Sequence, residues 1–114
     1  MPDLRRLGAE AEDRAANYLL GLGYTLVTRR FKARRGEIDL VALDGDVLVF
    51  VEVKSRRSTS AYPEAGITDE KVKALYEAAL EYLAKSDFTD PEIRFDMIAI
   101  NPEGISHHIG ALHG

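Results

Sequence analysis

The 114-residue sequence has no cysteine and no tryptophan. Without cysteine there is no disulfide, no iron–sulfur cluster, no thiolate zinc site and no cysteine nucleophile. Histidine is scarce too, and neighbouring strand residues such as His107 and His108 point to opposite faces, so no zinc site is expected. No apolar run is longer than Val47 to Val51, far short of the ~20 residues that cross a bilayer. No apolar stretch follows Arg5 and Arg6 as it would in a leader. A cytoplasmic protein with no membrane partner is expected. Repeats and low-complexity segments are also missing.

What is present is ordinary for a globular chain: 46% hydrophobic and 30% charged residues, enough for one core. A single domain over residues 1–114 is expected. The net charge of −4 hides an asymmetry. Residues 1–57 hold 11 Lys+Arg and 9 Asp+Glu, whereas the remainder holds 4 and 10. The positive charge concentrates in Arg29, Arg30, Lys32, Arg34 and Arg35, and again in Lys54, Arg56 and Arg57. A local basic face lets an acidic protein meet phosphates.

Leu4, Leu7, Ala11, Ala15, Tyr18, Leu19 and Leu22 have helical spacing and predict a helix over residues 3–20, ended at Gly21-Leu22-Gly23. Tyr24 to Phe31 reads as a strand that Arg34-Arg35-Gly36 breaks. Glu37 to Leu43 and Asp46 to Lys54 read as two strands joined at Asp44-Gly45, a type I′ hairpin signal. Residues 55–67 read as a loop. Thr68 is a candidate N-cap, with Asp69 and Glu70 favourable behind it, for a second helix to about Ala84. Strands at Ile93 to Ile100 and Ile105 to Ile109 complete an α-β-β-β-α-β-β order. An α/β fold with a mixed sheet flanked by helices is expected. Tyr18, Tyr76 and Tyr82 are spaced as packing residues, and Arg94 with Asp96 reads as a structural ion pair.

The informative feature is a set of charges inside strands apolar enough to be central: Glu37 and Asp39 in one, Glu52 and Lys54 in the next. Burying an ionised group without a partner is expensive. If Asp44 and Gly45 alone form the turn, Asp39 lies opposite Phe50 and Glu37 opposite Glu52. Residues opposite one another share a face, so all four charges would share it. A three-residue loop would turn Asp39 away from Glu52. Converging carboxylates need a cation. Asp39 and Glu52 supply the hard oxygen ligands that Mg²⁺ or Mn²⁺ takes, and such a metal activates water toward phosphodiesters. Lys54, on the same face, orients that water or meets charge on the phosphoryl group. The plain alternative is a charge network across a half-exposed sheet. Glu37 is open between a further ligand and an arginine partner.

Asp39, a dozen residues, then Glu52-Val53-Lys54 on the next strand resembles the PD-(D/E)xK nuclease superfamily, with Ile38 where the superfamily name has proline. A closer resemblance is to the YraN family of small uncharacterised proteins. It is carried by Gly8-Ala9-Glu10, Gly36-Glu37-Ile38-Asp39-Leu40, Val49 to Arg56, Lys71 and Arg94-Phe95-Asp96. Members resemble archaeal Holliday-junction resolvases in fold. The resemblance implies a restriction-endonuclease-like α-β-β-β-α-β core and a metal-dependent nuclease, or at least a nucleic-acid binder. It gives Asp39 and Glu52 the metal-ligand roles, Lys54 the catalytic-lysine role, and Glu10 the role of an extra acidic residue at the metal. Beside such a site, Arg29, Arg30, Lys32, Arg34, Arg35, Arg56, Arg57 and Lys71 are candidates for phosphate contact. The expected activity is Mg²⁺- or Mn²⁺-dependent cleavage of DNA, branched or single-stranded, and a homodimer if two strands are cut symmetrically. A non-catalytic nucleic-acid-binding module and an interaction scaffold that keeps the fold are the competing expectations.

Overall fold

Helix α1 spans Leu4–Gly21. It buries Ala11, Ala15, Ala16 and Leu19, an arc that helical spacing alone produces. Its end is set by Gly23, whose φ of 93° is open to glycine at no steric cost. The Tyr24 N–H then reaches back to the Leu19 carbonyl, and the Gly23 N–H to that of Leu20. This is the glycine-terminated cap that uses up a helix's last carbonyls. The fold comes from a computed structural model that describes residues 4–55 and 68–112, with side chains from residue 9 onward within them. Arg56 and Arg57, and the loop expected over residues 55–67, fall almost wholly outside the described residues.

The remaining elements are β1 (Thr25–Lys32), β2 (Glu37–Asp44), β3 (Val47–Ser55), α2 (Asp69–Lys85), β4 (Glu92–Asn101) and β5 (Gly104–His108). The strands form one mixed sheet in the order β1-β2-β3-β4-β5. Among the described strands only β3 and β4 run parallel, and α2 lies between them in the chain, as a parallel crossover requires. Thr68 caps α2 by accepting the Lys71 N–H, as its sequence position predicts.

The two helices cover opposite faces. On one, α1 packs on Leu40, Ala42, Val49, Val51, Ile98 and Ile100. On the other, Leu75, Ala78, Ala79 and Tyr82 of α2 pack on Val41, Leu48, Phe50 and Phe95. Central strands buried on both faces explain why β2 and β3 read as nearly continuous apolar runs. The predicted mixed α/β architecture and element order are those observed.

Two local expectations need correction. β2 continues through Asp44, which pairs with Val47, so the turn residues are Gly45 and Asp46 rather than Asp44 and Gly45. Only Gly45 of the two has a positive φ, at 60°, which matches the mirror turn with glycine first rather than type I′. The register therefore moves by two residues: Leu40 faces Val51 and Val41 faces Phe50, so Asp39 is not opposite Phe50. A shift of two keeps each residue on its face.

The second correction concerns the faces themselves. Ile38 and Val41 pack in the same cluster although three residues apart, so strict alternation fails between them, at Asp39 and Leu40. On β1 their partners Phe31 and Thr28 both reach Tyr82, again three apart. Between those partners lies Arg30, with a left-handed φ of 54°. Such a backbone is uncommon for a residue with a Cβ and marks a local distortion. The sheet is thus bent where Arg30 and Asp39 meet, and the four charges do not share one face by simple alternation.

Candidate metal centre

The β2–β3 ladder ends at the Leu40–Val51 pair. Beyond it the strands part, and the Asp39 side chain substitutes for the missing backbone acceptor. Its Oδ2 accepts the Val53 N–H at 2.8 Å. A carboxylate held by the main chain of the adjacent strand is fixed in place, and its second oxygen is left for other partners.

Glu52 follows Leu48 and Phe50 in the alternation of β3, so it faces α2. Its side chain is 5% exposed. Its Oε1 lies 3.4 Å from Lys54 Nζ and 3.6 Å from Lys71 Nζ, the latter reaching over from the first turn of α2. Both separations exceed the ~2.8 Å of a strong charge-assisted hydrogen bond. The other oxygen, Oε2, is buried with no hydrogen-bond partner among the described residues.

From the opposite face, α1 contributes Glu12. Carboxylate oxygens of Glu12, Glu37 and Asp39 all lie within 4.8 Å of one another. Glu12 Oε1 accepts from Arg30 Nε at 2.7 Å, which ties the distorted point of β1 to the helix. Where the strands separate, side chains from both layers of the molecule converge on Asp39.

The electrostatics follow from this crowding. Burial, and next the charge of Glu52, push the Asp39 carboxyl up to about 7; the Val53 N–H and Lys71 pull the other way. Asp39 and Glu52 are therefore close enough to repel, as expected, though Asp39 also joins Glu12 across the sheet. Every acidic donor here is a carboxylate oxygen, the set that hard divalent cations take.

Of the predicted residues, Lys54 and Lys71 meet Glu52, and Asp39 lies near enough to feel the charge of Glu52, but the three carboxylates that cluster are Glu12, Glu37 and Asp39, without Glu52. Glu10 is exposed on α1 and is not among the three clustered carboxylates; Glu12, two residues along, is. The signal for Glu12 was in the helix period: it shares the arc of Ala11, Ala15, Ala16 and Leu19, whereas Glu10 does not. Much of the basic run is engaged elsewhere. Arg29 pairs with Asp13 and Arg35 with Glu77 at 3.5 Å. Arg34 and Lys32 are exposed, and the Arg34 N–H is bound by Glu81.

Residues 11–100 match the family described as "Uncharacterised protein family UPF0102", the YraN family of the resemblance. The chain belongs to that family. A UPF0102 protein of Persephonella marina is 43% identical over 101 residues, covering 88% of this chain and 87% of the relative. One from Geobacter sulfurreducens is 47% identical over 96 residues, 82% of this chain and 74% of the relative. One from Syntrophomonas wolfei is 44% identical over 112 residues, 94% and 97% of the two chains. The matched span of the UPF0102 family includes Glu12, Asp39, Glu52, Lys54 and Lys71. Among the described residues, no helix is long and apolar enough to cross a membrane.

Proposed function

We propose that this UPF0102 protein is a Mg²⁺- or Mn²⁺-dependent endonuclease of the PD-(D/E)xK kind that hydrolyses phosphodiester bonds of DNA in the cytoplasm. The observation that carries the reading is the buried, unpartnered Oε2 of Glu52 beside the repelled carboxyl of Asp39. A buried acceptor without a donor costs about 1–3 kcal/mol, more when charged. A site that holds such an atom, all-oxygen donors and a neighbouring lysine is arranged for a cation that arrives from outside.

Asp39 and Glu52 would hold the metal, and Glu12 takes the place the resemblance gave to Glu10. A divalent cation there supplies positive charge against that building on the phosphoryl oxygens and acidifies a water. Lys54, on the face of Glu52 and still 29% exposed, orients the attacking water and meets charge on the phosphate. Arg30 holds Glu12 in place. Lys32 and Arg34, both exposed, with Arg56 and Arg57, form the phosphate grip of this reading, and Arg29 and Arg35 would join it only by leaving Asp13 and Glu77. The junction-resolvase resemblance favours branched or single-stranded DNA. One chain carries one such site, so symmetric cutting of two strands calls for a two-fold dimer.

The test is a cleavage assay on linear duplex, single-stranded and four-way-junction DNA with Mg²⁺ or Mn²⁺. Wild type should cut only with metal, and Glu52→Gln and Lys54→Ala should each lose about 100-fold or more. DNA binding with no cleavage by pure wild type would make it a non-catalytic module. Neither binding nor cleavage would leave the fold as an interaction scaffold.

A further inference from the structure

The cations already inside the site bear on how a metal enters it. Glu12 has Arg30 at 2.7 Å, and Asp39 has the Val53 N–H. Glu52 is different: two ammonium groups crowd one of its oxygens while the other has no donor. Two like charges on one oxygen repel each other. A divalent cation brought to Asp39 and Glu52 Oε2 would face both of them in a half-buried place where screening is weak. Withdrawal of one lysine would relieve that repulsion.

The geometry selects which. Lys54 sits on β3, whose register with β4 runs through the Lys54–Ala99 pair, and its side chain is 29% exposed. Lys71 comes from another element, makes the longer contact and is 39% exposed. Its backbone is pinned by the Thr68 cap, so only the flexible four-carbon stem needs to move.

We propose that Lys71 is a resident counter-ion of Glu52 that the divalent cation must displace, so that it sets the metal concentration at which the site fills. This inference rests on the metal reading above. In the metal-free protein Lys71 offsets the charge of Glu52 and Asp39, which keeps the carboxylates converged. On metal entry the ammonium swings outward to the mouth of the site, where an incoming phosphate meets it. Lys71 is a positioning residue in this scheme, and Lys54 remains beside the reacting atoms.

The test is Mn²⁺ titration by calorimetry of wild type, Lys71→Gln, Lys71→Arg and Lys73→Gln, without DNA. Lys73 is exposed on the same helix and controls for a general loss of charge. Lys71→Gln should bind Mn²⁺ about tenfold more tightly, as expected when one competing charge leaves a partly screened site. Lys71→Arg and Lys73→Gln should stay near the wild-type affinity. Equal or weaker binding by Lys71→Gln than by wild type overturns the inference and leaves the metal reading standing. So does a gain in Lys73→Gln as large as that in Lys71→Gln. Failure of both wild type and Lys71→Gln to bind Mn²⁺ overturns the metal reading, and the inference with it. A melting curve for each variant separates misfolding from changed affinity.

Discussion

Two buried acidic centres lie in the same sheet, and they are finished differently. Asp96 on β4 is fully buried, and both its oxygens are used. Arg94 donates to Oδ1 and Oδ2 at 2.9 and 3.0 Å, the Gly110 N–H to Oδ1 at 2.9 Å, and His107 Nε2 lies 2.8 Å from Oδ2. Arg94 also reaches Asp44 and Tyr24, and Tyr18 meets the far nitrogen of His107. Burial alone would raise the Asp96 carboxyl, but these donors more than offset it and hold it below the usual range. At Asp39 and Glu52 the balance has the opposite sign: one carboxyl is pushed up and one buried oxygen has no donor. The first centre ties β4, β5 and the segment after it together. The second has a raised carboxyl and an unpaired buried oxygen, which is the ground for proposing a function there and not at Asp96.

The sharpest way to break this contrast is to remove each carboxylate and measure stability by urea unfolding. Asp96→Ala leaves the Arg94 guanidinium half-buried without its main partner and should cost about 3–5 kcal/mol. Asp39→Asn removes a repelled charge and retains an acceptor for the Val53 N–H, so its stability near pH 8 should stay within about 1 kcal/mol of wild type or exceed it. A loss at Asp39→Asn as large as that at Asp96→Ala would mean both centres are structural.

Acidity separates the two with smaller energies. Asp96, held below its ordinary pKa, contributes stability above about pH 4 that is lost as pH falls through its folded value. Asp39 is raised from 3.8 to about 7, so its folded form holds a proton that the unfolded chain has released. Its contribution is complete below about pH 4 and is lost as pH rises to about 7. In metal-free protein this loss should be on the order of 2 kcal/mol after allowance for solvent screening. Unfolding curves between pH 4 and 8 should show it in wild type and not in Asp39→Asn. Saturating Mn²⁺ should remove it, because the metal takes the deprotonated carboxylate. A wild-type profile that is flat without metal would remove the ground for calling the site electrostatically incomplete.

The elements of both centres were largely legible in the sequence. Observed ends fall within about two residues of the expected ones because their signals are local: a 3.6-residue period in α1, Gly-Leu-Gly after it, Thr-Asp-Glu before α2 and a glycine turn between β2 and β3. The Asp-Glu-x-Lys set was legible because charges stand out in apolar strands. The details that shape the site were not, since they depend on partners distant in sequence. The hairpin register turned on whether Asp44 stays in β2. The break at Asp39 accompanies a left-handed Arg30 on the neighbouring strand. The basic run looked like a single phosphate-facing group, but Arg29, Arg30 and Arg35 each find a helix carboxylate.

Glu12 and Glu10 give the finest version of the comparison, within a single helix. Both are glutamates about two turns into α1, and only Glu12 turns toward Asp39 and Glu37. Its Oε1 is already held by Arg30, so in the proposed site it would be a peripheral acidic group and not the principal ligand. Changes at such supporting positions typically weaken metal affinity by about 10-fold or somewhat more. Glu12→Gln should therefore weaken Mn²⁺ binding and cleavage by about tenfold, and Arg30→Gln, which releases Glu12 without removing its charge, by less. Glu10→Gln should change either by less than about twofold, since Glu10 lies outside the carboxylate cluster. The reverse order, with Glu10 the sensitive position, would mean that α1 turns its other face to the metal when the site is filled.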